Sequence, residues 1–490
     1  MASLKQKTIS GLLWSFVDQF ANLGITFIVG IILARILSPR EFGLVGMIVI
    51  FIEVSNTFIN SGFGNALIRK KNCTQTDYST VFFFNLASGA VFFIALFFSA
   101  PAIGNFFIEP QLIPILRVMG VGLIITSLTL IQRTILTKRI DFKLQARISV
   151  IASVGSGIIS VTIAYLGFGV WSLVGQRLSR DMLNSIFLWI WNRWKPMLVF
   201  SKQSFNELFG FGSKLLVGGL IDTIYNNVYY LIIGKYFSAQ DLGYYTRADQ
   251  FQKLPSQTLN GIIARVSYPV LSNMQHDIPR LKTNYQLLIR STMFITFVLM
   301  LGMAAVAEPM IISLIGEKWR ESIIYLQMLS FVGMIYPMHA LNLNILMVNG
   351  RSDLTLKLEI IKKVLAAPII IIGIFWGIKI MIAWMMVNTL IAYYLNSYWS
   401  GKMIDYSFKH QIKDIMPAFC IALCMAIIVY GLGLAIPLDP LPLLIIQITS
   451  GAAFVLIVSE ISRFKDYLFL KSLIFEKIST ISIQKNGKTK

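Results

Sequence analysis

Residues 244–271, YYTRADQFQKLPSQTLNGIIARVSYPVL, bring Arg247, Gln250, Lys253, Gln257 and Asn260 to one side of a helix, because positions three and four apart share a face. A guanidinium and an ammonium beside three amides suit an anionic ligand. The planar fork of an arginine donates to two phosphate oxygens at once, and amides serve hydroxyl-rich groups. Asp249 keeps an alternative open, since an acid four residues before Lys253 can neutralise it. Upstream, Lys214, Gly218, Asp222 and Asn226 step by four and form a second polar stripe beside Asn227. Near the N-terminus Ser15, Asp18, Asn22 and Thr26 form a third, and Glu53, Asn56 and Asn60 a fourth. Each of these asparagines also has a plain reading as interhelical hydrogen-bonding glue, and Asp18 and Asp222 as structural ion-pair partners. Tyr225, Tyr229, Tyr244 and Tyr245 suit sugar faces or serve equally as interfacial anchors.

Such stripes acquire meaning from the elements that carry them. The 490 residues are 56% hydrophobic and 13% charged, with a mean hydropathy of +0.70. No single soluble core hides that much apolar surface, so the expected solvent is lipid. Spans of about 20 apolar residues fit the sequence roughly 14 times, which makes the chain an all-α polytopic membrane protein. The four polar stripes fall in the first (about 11–34), second (42–62), seventh (207–234) and eighth (243–263) spans. A charge at the bilayer centre costs about 2.5–3.5 kcal/mol on insertion scales, so these faces are expected to line water or protein. Pro255 is expected to bend the eighth span.

Loops alternate between rich and poor in Lys and Arg. Arg69, Lys70 and Lys71 precede a bare turn at Pro101, and Arg133, Lys138, Arg139, Lys143 and Arg147 precede another at Leu166. By the positive-inside rule both termini face the cytoplasm. The formal net charge of +20 then belongs to the membrane surface and its anionic lipids, and no nucleic-acid partner is expected. Residues 463–490 make a basic cytoplasmic tail alternating Lys with Leu, Ile and Phe; an interfacial helix and an unstructured end are both open. The first apolar run continues past Leu33 without a cleavage site and reads as a retained helix. Cys73, Cys420 and Cys424 form no disulfide or zinc framework, and with no metal motif, phosphate-binding loop or acidic dyad, neither a cofactor nor a catalytic residue is expected. Arg177, Arg180 and Asp181 are expected to pair locally, His339 to be a hydrogen-bonded packing residue, and Glu308 with Pro309 to mark a helix end.

The turn LARILSPREFGLVGM, residues 33–47, returns 200 residues later as IGKYFSAQDLGYYTR, residues 233–247. Arg35 falls on Lys235, Ser38 on Ser238, Glu41 on Asp241 and Gly43 on Gly243, with Asn22 on Asp222 upstream and Asn60 on Asn260 downstream. Six spans separate the copies, so both cross the membrane in the same direction and the halves are parallel repeats. Chance likeness of two polar turns is the alternative; register on both sides favours duplication. The division is an N-lobe (1–200, six spans), a C-lobe (201–405, six spans), two further spans (406–462) and the tail (463–490). In each lobe the turn is expected to be a tight external hinge in which Gly43 and Gly243 permit the chain reversal. Arg35, Glu41, Lys235 and Asp241 are expected as gate-rim charges able to pair across the closed external face.

ILARILSPREFGLVGM, SGFGNALIRKKNCTQTDYSTVFFFNL and YYTRADQFQKLPSQTLNGIIARVSYPVLSNMQ together resemble the polysaccharide transporter branch of the multidrug/oligosaccharidyl-lipid/polysaccharide exporter superfamily, the Wzx-like O-antigen and exopolysaccharide flippases. The likeness covers most of the chain and is strongest before residue 270. It implies two six-helix bundles plus two C-terminal helices around a V-shaped cavity, working by alternating access. It also implies a cargo of undecaprenyl-diphosphate-linked oligosaccharide crossing a bacterial inner membrane, and polymerase and export proteins as partners beside membrane lipids. By position, the family's cavity helices correspond to the first, second, seventh and eighth spans, which makes Arg247 and Lys253 candidates for the diphosphate, with Lys214, Gln250, Gln257, Asn260, Asn22 and Asn226 around them and Asp18, Glu53 and Asp222 as coupling groups. A cation-coupled drug antiporter of the same superfamily is the rival, using those three acids. A membrane-embedded glycan polymerase or ligase would need a sizeable external loop carrying acid and base, and the external connections are short.

Overall fold

The structure is a computed structural model that describes residues 4–472, apart from the side chains of residues 4–9, 12, 262 and 264–266. Its long elements are all helices, since a bilayer leaves backbone polar groups no partner outside the chain. In order they are α1 (Leu4–Ile36), α2 (Pro39–Asn60), α3 (Phe63–Arg69), α4 (Gln75–Phe107), α5 (Leu112–Lys138), α6 (Phe142–Tyr165), α7 (Trp171–Asn192), α8 (Lys202–Tyr236) and α9 (Ala239–Ser272). Then come α10 (Ile278–Ala305), α11 (Ala307–Ile315), α12 (Ser322–Val348), α13 (Ser352–Trp376), α14 (Ile378–Ile404), α15 (Phe408–Ala435) and α16 (Pro440–Ile461). Among the described residues, each of the expected spans has its helix. Eleven helices among the described residues are long and apolar enough to cross a membrane; α7, α9 and α13 are as long but carry more charge.

Local sequence starts the helices. Thr74 Oγ1 accepts from the Asp77 amide at 3.2 Å while the Thr74 amide donates to Asp77 Oδ2 at 2.9 Å, a reciprocal box at the head of α4. Asp141, Ser201 and Asp277 cap α6, α8 and α10 by the side-chain half of that box alone, accepting from amides at 3.1, 3.2 and 3.1 Å. Each such cap contributes about 0.5–2 kcal/mol. The second span ends where Ser61 and Gly62 both turn left-handed (φ 42° and 68°), which launches the short α3. The expected helix end at Glu308 and Pro309 is the break at Val306 between α10 and α11. Helix α9 continues through both Pro255 and Pro269, as membrane helices can when neighbouring groups satisfy the freed carbonyls.

The chain packs as two compact units, Met1–Thr246 and Arg247–Lys490. The boundary lies inside α9 rather than at the 200/201 or 405/406 divisions expected of the repeat. In the first unit α1 lies on α6, α4 on α5, α6 on α7 and α2 on α8. Phe63, Leu67, Val81, Phe82, Ile131, Ile135 and Leu208 form one of its cores. Without a hydrophobic drive between helices in lipid, close approach of small residues takes over. A Cβ on Gly157 would stand 2.7 Å from Val29, and one on Gly212 2.6 Å from the Ser61 carbonyl.

In the second unit α10 packs on α12 and α15, and α12 on α14. Asn342, on α12, holds that bundle together: Ser400 donates to its Oδ1 at 2.5 Å, Gln411 at 3.2 Å, and Tyr393 reaches Gln411 at 3.2 Å. The tail begins as part of this unit. Residues 465–472 are helical, the Phe464 ring sits 5.3 Å from Phe294, and buried Asp466 pairs with Arg290 of α10 at 3.0 Å. Between the two possibilities left by the sequence, these residues take a docked helix; 473–490 lie outside the described residues.

Burial pushes the Asp466 carboxyl above the usual carboxylate range, and Arg290 opposes that shift. A raised folded value means docking takes up a proton, so docking is strongest in acid and weakens as pH rises through that value. Arg290→Ala removes the opposing charge. A spin label on Ser472→Cys is expected to become mobile in this variant at neutral pH, about tenfold more populated in the undocked form if the pair contributes ~1.4 kcal/mol, and to become immobile again in mild acid. A label equally immobile at neutral pH would exclude the ion pair as the clamp.

Candidate functional site

The repeated turn is where the helices cross. Ser38 donates from both its amide and its hydroxyl to Glu41 Oε2, at 2.6 and 2.9 Å. Ser238 does the same to Asp241 Oδ2, at 3.2 and 2.6 Å, and its oxygen accepts from the Asp241 amide at 3.0 Å. Both acids therefore cap their own helices, each through one carboxylate oxygen. An acid at the third helical position lies one turn from the cap residue, within reach of its amide. Lys235 donates to the Phe106 carbonyl at 2.5 Å and lies 4.6 Å from that ring. Arg35 is exposed at the end of α1. At this end Arg40 pairs with Glu109 at 2.8 Å.

Gly43 and Gly243 have a different role from the one expected. Both lie inside helices, in α2 and α9, without the left-handed backbone that a reversal would need. A Cβ on Gly43 would overlap the carbonyl oxygen of Ala239, and one on Gly243 the carbonyl oxygen of Pro39. Residues 39 and 43 thus meet 239 and 243 reciprocally at the 200-residue offset, the contact a local two-fold axis generates.

Deeper in the first unit the polar stripes converge. Asn22 of α1 donates to Asp18 Oδ1 at 2.6 Å and to Ser149 of α6 at 2.7 Å, while Ser153 and Arg180, the latter at 3.4 Å, donate to its Oδ1. Arg177 of α7 pairs with Glu53 of α2 at 2.5 Å. Asp181, one turn further along α7, lies in the field of Arg177, Arg133 and Arg180. The local pairing expected of the α7 charges thus extends across helices, and α1, α2, α5, α6 and α7 share one polar interior.

Arg133, grouped by charge with the basic segment that follows, belongs to the polar interior instead. It stands in α5, exposed, and among the described residues it makes no ion pair or hydrogen bond. Its side chain lines a cavity of about 380 Å³ with Thr57, Asn60, Asn65, Thr134 and Thr137. A signal for it was present: Leu130, Arg133, Thr134 and Thr137 follow the spacing of one helical face.

The α8 stripe keeps an open aspect. Lys214, Asp222 and Asn226 are exposed, and Gly218 between them meets no atom within 4 Å. On α9 the structure corrects the charge reading. Lys253 is held by Asp249 at 2.6 Å, so the four-residue alternative is the arrangement found. Arg247 is buried, donates to Gln250 Oε1 at 2.8 Å and lies 5.9 Å from the Trp319 ring. Two cations without a carboxylate do not occur on that face. Gln257 is exposed, whereas both amide atoms of Asn260 are buried without a protein hydrogen bond among the described residues.

Among curated proteins, the lipopolysaccharide biosynthesis protein WzxC of Escherichia coli (strain K12) is 25% identical over 441 residues, 89% of each chain. The succinoglycan biosynthesis transport protein ExoT of Rhizobium meliloti (strain 1021) is 28% identical over 306 residues, 62% of each chain. A solved structure titled lipid II flippase MurJ, inward closed conformation, has a TM-score of 0.75 over 94% of this chain and 100% of its own, at 17% identity, and shares the fold. The family described as "Polysaccharide biosynthesis protein" matches residues 32–324, more than half of the chain, and the protein belongs to it.

Proposed function

We propose that this chain is a flippase, a transporter and not an enzyme, for oligosaccharides linked to undecaprenyl diphosphate, moving them across a bacterial inner membrane for assembly of surface polysaccharide. The observation that carries this reading is the polar interior of the first unit. Its membrane helices bring Asp18, Glu53, Arg133, Arg177, Arg180 and Asp181 together, an arrangement whose cost in lipid is justified by a hydrophilic passenger. Relatives named for polysaccharide biosynthesis and transport support it, as do the amides along α8 and α9. The lysine- and arginine-rich ends are assigned to the cytoplasm, both termini included, and a polymerase and export proteins would take over the cargo.

In this reading Arg247 and Lys253 position α9, each already engaged by protein, and the exposed Lys214, Asn226, Gln250 and Gln257 are the groups available to sugar. Depleting the protein in its host and reading lipid-linked sugars by mass spectrometry, with leaflet exposure read by an impermeant glycosidase, tests it. A completed diphosphate-linked repeat unit is expected to accumulate, protected from the enzyme. An unchanged pool with heightened sensitivity to cationic drugs would replace the flippase with a drug antiporter and make Asp18 and Asp222 the groups to test.

A further inference from the structure

We infer that the Arg133 cavity is a phosphate-docking subsite, in which the guanidinium grips the diphosphate of a polyprenyl-linked cargo while Asn60 and Asn65 receive the first sugar. This deepens the flippase reading and rests on it. The cavity lies within the first unit, between the C-terminal end of α2, α3, the last turns of α5 and the middle of α8. That end of α5 is the basic one, closed by Lys138 and Arg139, so the subsite is next to the surface proposed as cytoplasmic.

Three observations single it out. First, the other cations of this polar interior are engaged: Arg177 by Glu53 and Arg180 by Asn22. Among the described residues Arg133 has only longer-range charged neighbours, Asp181 and Asp18 of opposite sign and Arg180 of like sign. A guanidinium kept in a membrane helix without a bonded partner retains all five of its donors for a ligand. Second, the wall around it suits a phosphosugar. Two asparagine side chains, Asn60 and Asn65, are exposed on it, and the hydroxyls of Thr57, Thr134 and Thr137 line it beside them. Third, about 380 Å³ lies at the lower end of small-molecule sites, enough for a diphosphate and one sugar but not for a long lipid tail, which would remain outside.

The opening that forms the cavity follows from the chain. Successive left-handed residues at Ser61 and Gly62 stop α2 and set α3 aside, exposing Asn60 and Asn65 on either side of the break. A side chain at Gly62 would meet the Gly212 carbonyl at 2.7 Å, which fixes α8 as the far wall.

The test is binding of farnesyl diphosphate, a soluble polyprenyl diphosphate, to the full chain in phosphatidylcholine nanodiscs, with inorganic pyrophosphate and phosphatidylglycerol as competitors. Arg133→Gln is expected to weaken binding about tenfold or more, and Arg133→Lys, which keeps the charge but loses the fork, to weaken it less. Pyrophosphate is expected to compete. Equal binding by wild type and Arg133→Gln overturns the subsite and leaves the cargo reading intact. Displacement by phosphatidylglycerol with the same Arg133 dependence would make the cavity a lipid head-group site and overturn the cargo assignment to it. A wild-type protein that binds no farnesyl diphosphate overturns both. Should Arg133→Gln fail to fold, Asn65→Leu, at an exposed wall position, carries the same comparison.

Discussion

Gly43→Val is expected to leave little folded protein in the membrane, and Gly43→Ala to melt well below the wild type. The reason is geometric. At the crossing of α2 and α9 the Ala239 carbonyl oxygen occupies the space a Cβ on residue 43 would need, and the Pro39 carbonyl oxygen does the same for residue 243. Both obstacles are backbone, so no rotamer change relieves them and the two helix ends must separate. Overpacking of this kind costs about 1–3 kcal/mol, and more where the surroundings cannot yield. Here they yield poorly: Met47, Phe107 and Leu242 pack round Gly234 beside the crossing. Gly218→Ala in α8, where nothing lies within 4 Å, is the control and should be neutral or slightly stabilising, as alanine is the better helix former. Because the contact is reciprocal, Gly243→Ala should match Gly43→Ala within experimental error. Thermal melting of the three alanine variants in one detergent decides the matter. Wild-type melting for Gly43→Ala would show that the helices do not cross there.

The repeated turn also shows what could and could not be read from sequence. Its recurrence, its charges and its glycines were all legible, and so were the spans, because apolar runs and their punctuation are local. The role of each residue was not local. Glu41 and Asp241 carry the same charge whether they cap a helix or face a gate, and only the position of Ser38 and Ser238 one turn away decides. Gly43 reads as a turn former until the partner helix is placed against it. Similarly, Arg133 reads as one more cation of the basic segment that follows it, because charge counts along the chain do not report which face of a helix a side chain takes. On α9, Asp249 was seen four residues from Lys253, and the fold chose the pair. Asn22 was legible as polar but not as the junction of α1, α6 and α7, because its partners lie 127 to 158 residues away.

Arg177→Gln is expected to damage the protein more than Glu53→Gln, and the double variant less than Arg177→Gln alone. Arg177 faces two carboxylates, Glu53 at 2.5 Å and Asp181 one turn along its own helix. Removing it leaves Glu53 without its bonded partner at membrane depth and raises the repulsion between the two acids. Removing Glu53 leaves Arg177 still facing Asp181. With both neutral, the orphaned charge disappears and a glutamine pair can hydrogen-bond. The losses should therefore be non-additive by about 1 kcal/mol or more, in the range found for residues in one network. Both side chains are about one-third exposed to the interior, which keeps the effect below that of a fully buried pair. Melting temperature and polysaccharide export should be measured together on the three variants. Additive losses in melting would show that the pair does not couple α2 to α7. A double variant that regains stability but not export would assign the charges of the Arg177–Glu53 pair a part in transport itself, since a purely structural pair is replaced by any combination that restores the packing.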